Sequence, residues 1–275
     1  MKIPQFIILL GQFLQFISPK LASLYAAKLF ATPIKHKIPK RELAMDANSS
    51  QVTVTIPGVN KKIVVYQYGD STKKVLLVHG WSGRGTQLFK IADELLKNGY
   101  STISFDAPAH GKSAGNQTLL PEFVASILEL QKLYGPFEFA VGHSLGSMSI
   151  LKAIVEGLNV KKAVLIGSGD IIQDIIDHFL KNLKLSKKVG LLMKKYFEKK
   201  SGTSMERFSS YLSAQKVLIP VLIIHDLNDA DVNVSCAYNI HKNLAGSELL
   251  ITEHLGHRKI LGDKRVIEKI ITYLK

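Results

Sequence analysis

The chain of 275 residues contains a single cysteine, Cys236. One thiol excludes an internal disulfide framework and a thiolate metal site, and it favours a reducing compartment. We therefore expect a cytoplasmic protein, with a membrane-associated one as the alternative. The sequence also lacks an apolar run long enough to span a bilayer comfortably, since its most apolar stretch covers only residues 3–17.

Acidic residues are scarce: 22 Asp and Glu stand against 36 Lys and Arg, which gives a formal net charge of +14. Such an excess can indicate a nucleic acid, an anionic membrane surface or an acidic ligand as partner. The basic residues are spread along the chain, with no recognisable nucleic-acid module and no interleaved aromatic residues. We therefore expect a lysine-coated surface and no nucleic-acid partner.

An N-terminal segment, residues 1–49, precedes the regular part of the chain. Its apolar start resembles a signal peptide, but three glutamines interrupt it and no small-x-small cleavage site follows, so a cleaved signal is the less favoured alternative. Apolar residues recur at helical spacing from Ile3 to Tyr25 and predict one amphipathic helix. Such a helix could lie on the core, cover the active site or rest on a membrane, in that order of preference. A basic linker between Pro33 and Pro39 then leads into the domain proper.

From residue 50 to residue 275, short β-favouring runs alternate with helical patterns. A hairpin is expected over residues 52–68, joined across Pro57-Gly58. A continuous apolar run is typical of a parallel strand buried on both faces, and one occurs at residues 75–78. Further strands are expected at residues 101–105, 139–143, 162–166, 217–224 and 247–251. Helical patterns between and after them cover about residues 86–97, 121–133, 148–156, 234–244 and 264–274. The alternation predicts one α/β domain with a mostly parallel, eight-stranded sheet and helices on both faces.

One segment, at about residues 170–216, is far longer than a normal crossover between parallel strands. It carries a helical stripe of isoleucines with a phenylalanine, formed by Ile171, Ile172, Ile175, Ile176 and Phe179. A second stripe lies between residues 191 and 197, in a lysine-rich run. We predict a helical lid over the carboxyl ends of the strands, where ligands of α/β proteins bind. A solvated helical excursion without a role is the alternative.

The strand at residues 139–143 ends in a Gly-x-Ser-x-Gly motif, Gly142-His143-Ser144-Leu145-Gly146, and a helix-forming run follows directly. This strand–turn–helix context is the one that a nucleophile elbow requires. We therefore expect the Ser144 hydroxyl to be exposed above the sheet. A Cβ at either glycine would collide with the neighbouring strand or helix.

Loops after three other strands offer the partners that a serine nucleophile needs. The turn His79-Gly80-Trp81 leaves backbone N–H groups unpaired, so the N–H groups of Trp81 and Leu145 are expected to receive an oxyanion. The loop after the strand at residues 217–224 offers the carboxylate of Asp229, and the loop after the last strand offers the imidazole of His257.

Together these motifs resemble the α/β-hydrolase fold superfamily, over about residues 50–275. The resemblance rests on five motifs in the family's order: His79-Gly80-Trp81, Asp106-Ala-Pro-Ala-His-Gly-Lys-Ser113, Gly142-His-Ser-Leu-Gly146, His225-Asp-x-x-Asp229-x-x-Val232 and Gly256-His257. Two departures are Ala109 and Asp226, which stand where the family usually has glycine. The resemblance implies a triad of Ser144, Asp229 and His257.

Two positions of this triad have competitors in the sequence. Asp226 and Asp231 compete with Asp229 for the role of the acid, although the family spacing favours Asp229. His254 competes with His257 for the role of the base, although His257 follows the glycine and precedes the closing helix.

The residue types favour a serine esterase that acts on a small-molecule ester or thioester and needs no metal or organic cofactor. Two alternatives are a membrane-associated lipase or acyltransferase, which would dock through the N-terminal helix, and a binding scaffold without turnover. The oligomeric state, the acyl group and the leaving group have no signal in the sequence.

Overall fold

The structure is a computed structural model that describes residues 3–275. The strands are β1 Ser50–Ile56, β2 Lys61–Tyr68, β3 Lys74–Val78, β4 Ser101–Asp106, β5 Phe139–His143, β6 Lys162–Ile166, β7 Val221–Asp226 and β8 Glu248–Thr252. The helices are α1 Gln5–Ile17, α2 Pro19–Phe30, α3 Leu43–Asn48, α4 Phe89–Lys97, α5 Leu120–Tyr134, α6 Leu145–Val155, α7 Ile172–Leu183, α8 Lys187–Ser201, α9 Ser210–Ala214, α10 Ser235–Asn243, α11 Gly256–Lys259 and α12 Lys264–Leu274. Short 3-10 turns lie at Lys40–Glu42, Met205–Phe208 and Ile260–Gly262.

The eight strands form one sheet in the order β1-β2-β4-β3-β5-β6-β7-β8. Strand β2 pairs antiparallel with both β1 and β4, and every later pairing is parallel. This arrangement confirms the predicted α/β fold with a mostly parallel, eight-stranded sheet. It also brings the loops after β3, β5, β7 and β8 to one edge, because parallel strands end on the same side of a sheet.

Helices cover both faces of the sheet, which explains why its central strands are apolar without alternation. In β3, Leu76 and Val78 join the core under α5 and α6, while Val75 and Leu77 join the core under α4 and α12. The side chains of these four residues are fully buried.

Strand β7 begins later than its apolar run predicts. The run starts at Val217, but the strand starts at Val221, after an exposed Leu218 and after Pro220. Proline has no N–H to donate to a neighbouring strand, so the regular pairing of β7 begins only after Pro220.

The expectation of one N-terminal helix up to Tyr25 is wrong. The chain breaks between α1 and α2, where Ser18 is extended at φ −160° and Pro19 is the first residue of α2. Proline disfavours helical backbone at the residue before it but is accepted in a helix's first turn, which explains the break. The hydroxyl of Tyr25 donates to the carbonyl of Ile7 at 3.1 Å and fastens the two helices together. The first two residues of the predicted segment lie outside the described range.

Helix α2 and the residue that caps it pack into the same core as the helices beside the sheet, through small buried residues: Ala22, Ala26, Ala27 and the cap Ala31. The boundary predicted at residue 49 stays a prediction. A buried ion pair joins the segment just before it to the loop after β3, because Glu42 accepts hydrogen bonds from Arg84 and Thr86, both at 2.8 Å.

The long segment after β6 is helical, as its stripes predict, and contains α7, α8 and α9. Helix α2 fastens it to the domain, since the ring of Phe30 lies 5.1 Å from that of Phe179 in α7 and 6.0 Å from that of Phe197 in α8. None of the helices within residues 3–275 is both long enough and apolar enough to cross a membrane.

Candidate active site

Ser144 occupies the turn between β5 and α6, with φ 53° and ψ −119°. A positive φ is unfavourable for a residue with a Cβ, so the turn holds the serine in a strained conformation. Its backbone N–H donates to the carbonyl of Ile166 at 2.8 Å and so ties the turn to the end of β6. The geometry matches the expected nucleophile elbow.

The two glycines of the motif are required by close packing. A Cβ at Gly142 would lie 2.7 Å from the backbone nitrogen of Ser147 in α6. A Cβ at Gly146 would overlap the carbonyl oxygens of Val78 and His79 at the end of β3. These contacts let the helix start directly against the sheet, which places its first turn beside the serine.

His257 and Asp229 are joined by a hydrogen bond of 2.7 Å between Nδ1 of the imidazole and Oδ2 of the carboxylate. The other carboxylate oxygen, Oδ1, accepts the backbone N–H groups of Asp231 at 2.8 Å and Val232 at 2.9 Å. The carboxylate is therefore fixed from both sides, and it fixes the orientation of the ring.

Asp229 is held in its ionised form. Burial by itself would raise the pKa of this carboxyl group, but the hydrogen bond from His257 and those from the two backbone N–H groups outweigh it. The pKa of Asp229 is therefore lowered from its ordinary value. A carboxylate that stays charged at neutral pH keeps the proton of the imidazole on Nδ1 and leaves Nε2 free to accept one.

The histidine loop is attached to the elbow through His143, the residue before the serine. Its Nε2–H donates to the carbonyl oxygen of His257 at 2.8 Å, and the two rings lie 4.6 Å apart. Burial lowers the pKa of His143 to about 3, so its ring is neutral. Within residues 3–275, the Oγ of Ser144 makes no hydrogen bond, so its proton is not yet in contact with Nε2 of His257.

Among the described residues, neither Asp226 nor Asp231 hydrogen-bonds to His257, although Asp231 lines the same cavity as Ser144. Asp231 is exposed and lies 3.5 Å from Arg258, and His254 is exposed on the loop after β8. Asp226 is buried and accepts hydrogen bonds from Thr252 Oγ1 and from the backbone N–H of Leu255. Asp226, which stands where the family usually has glycine, thus joins the loop that carries Asp229 to the loop that carries His257.

The residues of the two expected oxyanion donors, Trp81 and Leu145, line the same cavity as Ser144. Ser82 N–H donates to Nε2 of His110 at 3.0 Å, and Ala107 N–H donates to Nε2 of His79 at 3.0 Å, so two imidazoles hold the turn that carries Trp81. Burial lowers the pKa of both rings, to about 4 for His110, which keeps them neutral acceptors. Among the described residues, neither Trp81 N–H nor Leu145 N–H has a hydrogen-bond partner.

A cavity of about 520 Å³ opens over Ser144, and its surface is mostly apolar. Helix α7 contributes Ile172, Ile175 and Phe179, but not Ile176, which is fully buried and faces Gly190 of α8. The expected isoleucine stripe therefore divides between the cavity and the interior of the insertion.

Some residues that line the cavity are not among the site residues expected from the sequence. Leu29 and Phe30 of α2 line the cavity, although the N-terminal segment lies outside the region that resembles a known family. Met148 of α6 and Met205 also contribute. Helical spacing alone identifies α2 as amphipathic, but only the tertiary fold shows what its end covers.

In the part of the chain from residue 3 to residue 275, no group of three or more His, Cys, Asp or Glu side chains is arranged to hold a metal ion. The site described above consists of one hydroxyl, one imidazole, one carboxylate and backbone N–H groups. Such a set is suited to nucleophilic attack on a carbonyl carbon.

A family model for the alpha/beta hydrolase fold matches residues 73–215, just over half of the chain. No curated protein sequence matches the chain. Its fold is similar to that of an esterase from Pyrococcus furiosus, with 20% identity, a TM-score of 0.67 and 89% of this chain and 97% of that one covered. An esterase from Exiguobacterium antarcticum has 20% identity and a TM-score of 0.66, with 82% and 99% covered. A bromoperoxidase from Bacillus anthracis has 18% identity and a TM-score of 0.63, with 82% and 99% covered.

Proposed function

Because the chain belongs to the alpha/beta hydrolase fold family, we propose that it is a serine hydrolase that cleaves a carboxylic ester or thioester. The observation that carries this proposal is the 2.7 Å hydrogen bond between His257 and Asp229 beside the strained turn of Ser144. Two of the three similar structures named above are esterases, which agrees with the proposal.

In the first half of the reaction, Ser144 Oγ attacks the carbonyl carbon of the ester. Nε2 of His257 removes the hydroxyl proton as the bond forms and then gives it to the departing alcohol or thiol. Asp229 stabilises the charged imidazole. The substrate brings the serine hydroxyl and the imidazole together, since apo sites often hold such pairs apart.

The negative charge that develops on the carbonyl oxygen is received by the N–H groups of Trp81 and Leu145. Both are fixed before the substrate arrives, one by the turn after β3 and the other by the start of α6. Fixed donors cost no reorganisation during the reaction, and one such donor contributes on the order of 10²–10³ in rate.

In the second half, His257 activates a water molecule that attacks the acyl-serine. The imidazole takes a proton from this water and gives it to Ser144 Oγ as the acid leaves. Apart from this water molecule, the proposed cycle uses side chains and backbone groups of the chain.

The acyl group of the substrate lies in the apolar cavity, and the segment from about residue 170 to residue 216 acts as its lid. Apolar side chains from α2, α7 and the turn at Met205–Phe208 surround this space. Burial of a hydrocarbon chain there contributes about 0.8 kcal/mol per CH₂ group. The substrate is therefore an ester whose acyl part is largely hydrocarbon.

Hydrolysis of p-nitrophenyl esters by Ser144→Ala, His257→Ala and the double variant tests the proposal. Each single change is expected to lower kcat by about 10⁴-fold or more, and the double change is expected to add little, because the two residues act in one step. Losses that multiply in the double variant would contradict a shared mechanism. Wild-type protein that is folded but hydrolyses none of these esters would favour a binding scaffold instead.

A further inference from the structure

Helix α1 presents a continuous apolar stripe to solvent rather than to the core. Its exposed residues recur at the spacing of one helix face: Phe6, Leu9, Leu10, Phe13, Phe16 and Ile17. Leu21 and Leu24 of α2 extend the stripe. The opposite face of α1 is attached to the protein, since Gly11 is buried against Tyr25 and Leu185. The exposed stripe is therefore a stable feature of the surface.

Basic residues predominate in the two segments of sequence that supply α1, α2 and most of α8. Residues 1–41 contain seven Lys or Arg and no Asp or Glu, while residues 181–200 contain eight Lys and one Glu. Of the lysines in the second group, only Lys194 forms an ion pair within the described part of the chain, with Glu206. Charges without partners are available to an external anion.

The lysines at the start of α8 lie next to the end of α1. The backbone N–H of Ser186 donates to Oε1 of Gln15 at 2.7 Å, and the exposed Lys187 and Lys188 follow immediately. Lys20 and Lys28 are exposed on α2. An apolar helix face beside a group of lysines is the pattern of a helix that lies in the plane of an anionic membrane surface.

We propose that the α1 stripe, with the adjoining lysines of α2 and α8, is a docking surface for an anionic lipid bilayer. In this arrangement α1 lies flat, with its phenylalanines in the acyl region and the lysines against the phosphates. A second copy of the chain fits this surface poorly, because it would bring the same positive charges against each other. The proposal does not depend on ester hydrolysis.

Docking on this side places the candidate active site close to the lipid. The far end of α2 supplies Leu29 and Phe30 to the cavity over Ser144, and the start of the same helix carries Leu21 and Leu24 of the stripe. One helix thus joins the membrane contact to the cavity wall.

Flotation of the full chain with vesicles tests the proposal. We expect the protein to bind vesicles of phosphatidylcholine and phosphatidylglycerol at least about tenfold more tightly than vesicles of phosphatidylcholine alone, and to lose affinity in high salt. The double variant Phe13→Gln/Phe16→Gln is expected to lose about tenfold or more of this binding. The double variant Lys187→Glu/Lys188→Glu is expected to lose as much.

Two matched variants serve as controls. Leu133→Gln/Leu218→Gln removes side chains that are 53% and 94% exposed, much like Phe13 at 59% and Phe16 at 90%. Lys264→Glu/Arg265→Glu makes the same change in charge on α12, on the other side of the sheet. Both controls should bind vesicles as the wild type does. Thermal melting of all four variants verifies that they are folded.

Three results would overturn the proposal. The wild-type chain could fail to float with either vesicle, or Phe13→Gln/Phe16→Gln could float as well as the wild type. The same substitution could instead convert a dimer into a monomer in size-exclusion chromatography without any effect on lipid binding, which would assign the stripe to contact between copies.

Discussion

Hydrogen bonds distinguish three carboxylates that the sequence places within six residues of one another. Asp229 meets the imidazole of His257 at 2.7 Å, Asp226 holds the backbone of two loops, and Asp231 lies at the solvent-exposed rim of the cavity near Arg258. The order of the motifs favours Asp229, but spacing alone cannot show where each side chain points. The surroundings of Asp226 also make it unsuitable as a neutral control, because its loss would move both loops.

Asp229→Asn is expected to lower kcat by on the order of 10³–10⁴-fold without unfolding the protein. The amide would donate to Nδ1 of His257, so the imidazole proton would sit on Nε2. A protonated Nε2 cannot accept the proton of Ser144. The matched variant is Asp231→Asn, which should cost less than about tenfold. Steady-state kinetics with a p-nitrophenyl ester measure both. An equal loss in the two variants would refute the assignment of the acid.

At the scale of elements, the helical insertion and α2 form the cavity together. Ile175 and Phe179 of α7 line the space over Ser144, and Phe30 of α2 packs against Phe179. Ile176 lies one residue from Ile175 but points into the insertion. This contrast separates a role in substrate binding from a role in packing.

Ile175→Ala is expected to lower kcat/KM for an octanoate ester by about 1–3 kcal/mol, or roughly 5- to 150-fold, and to change it little for an acetate ester. The lost contacts act on the bound substrate and on the transition state alike, so the change should appear mainly in KM. Ile176→Ala is the control: it should lower the melting temperature, because it leaves a buried cavity, without altering the preference for chain length. Equal losses for all ester lengths in Ile175→Ala would exclude the insertion as the element that selects the acyl group.

The elements differ in how far the sequence predicts them. The strands of the sheet are predicted in order, because apolar side chains fill both faces and leave continuous runs such as Val75 to Val78. The division of the α7 stripe is not predictable from its spacing, since Ile175 and Ile176 have the same chemistry and only the position of α8 decides which one is covered. The contact of Phe30 with Phe179 joins residues far apart in the chain and has no local signal.

At the scale of the whole molecule, several buried histidines make stability depend on pH. Burial lowers the pKa of His79, His110 and His143 below the ordinary value, to about 4 for His110 and about 3 for His143. The unfolded chain takes up these protons near pH 6.5, whereas the folded chain resists them. The stability that they contribute is therefore complete above about pH 6.5 and is lost as the pH falls toward the folded-state values.

We expect the free energy of unfolding in urea to decrease between about pH 6.5 and pH 4, by up to about 1.4 kcal/mol per pH unit for each of these histidines. His110→Gln keeps an acceptor for the N–H of Ser82 but removes one titrating ring. As the pH falls, the free energy of unfolding of this variant should therefore decrease less steeply than that of the wild type. The difference between the two slopes should be up to about 1.4 kcal/mol per pH unit. A free energy that is flat over this range in the wild type, or equal slopes in the two proteins, would contradict the account.

The proposed mechanism requires an activated serine at the elbow. Mass spectrometry of peptides after reaction with a fluorophosphonate measures this directly, because such probes phosphonylate a serine only where a base removes its proton. We predict one modified peptide, with the label on Ser144, no label in Ser144→Ala, and labelling slowed by about 10²-fold or more in His257→Ala. A folded wild-type chain that stays unlabelled, or one that is labelled equally fast in His257→Ala, would contradict the claim.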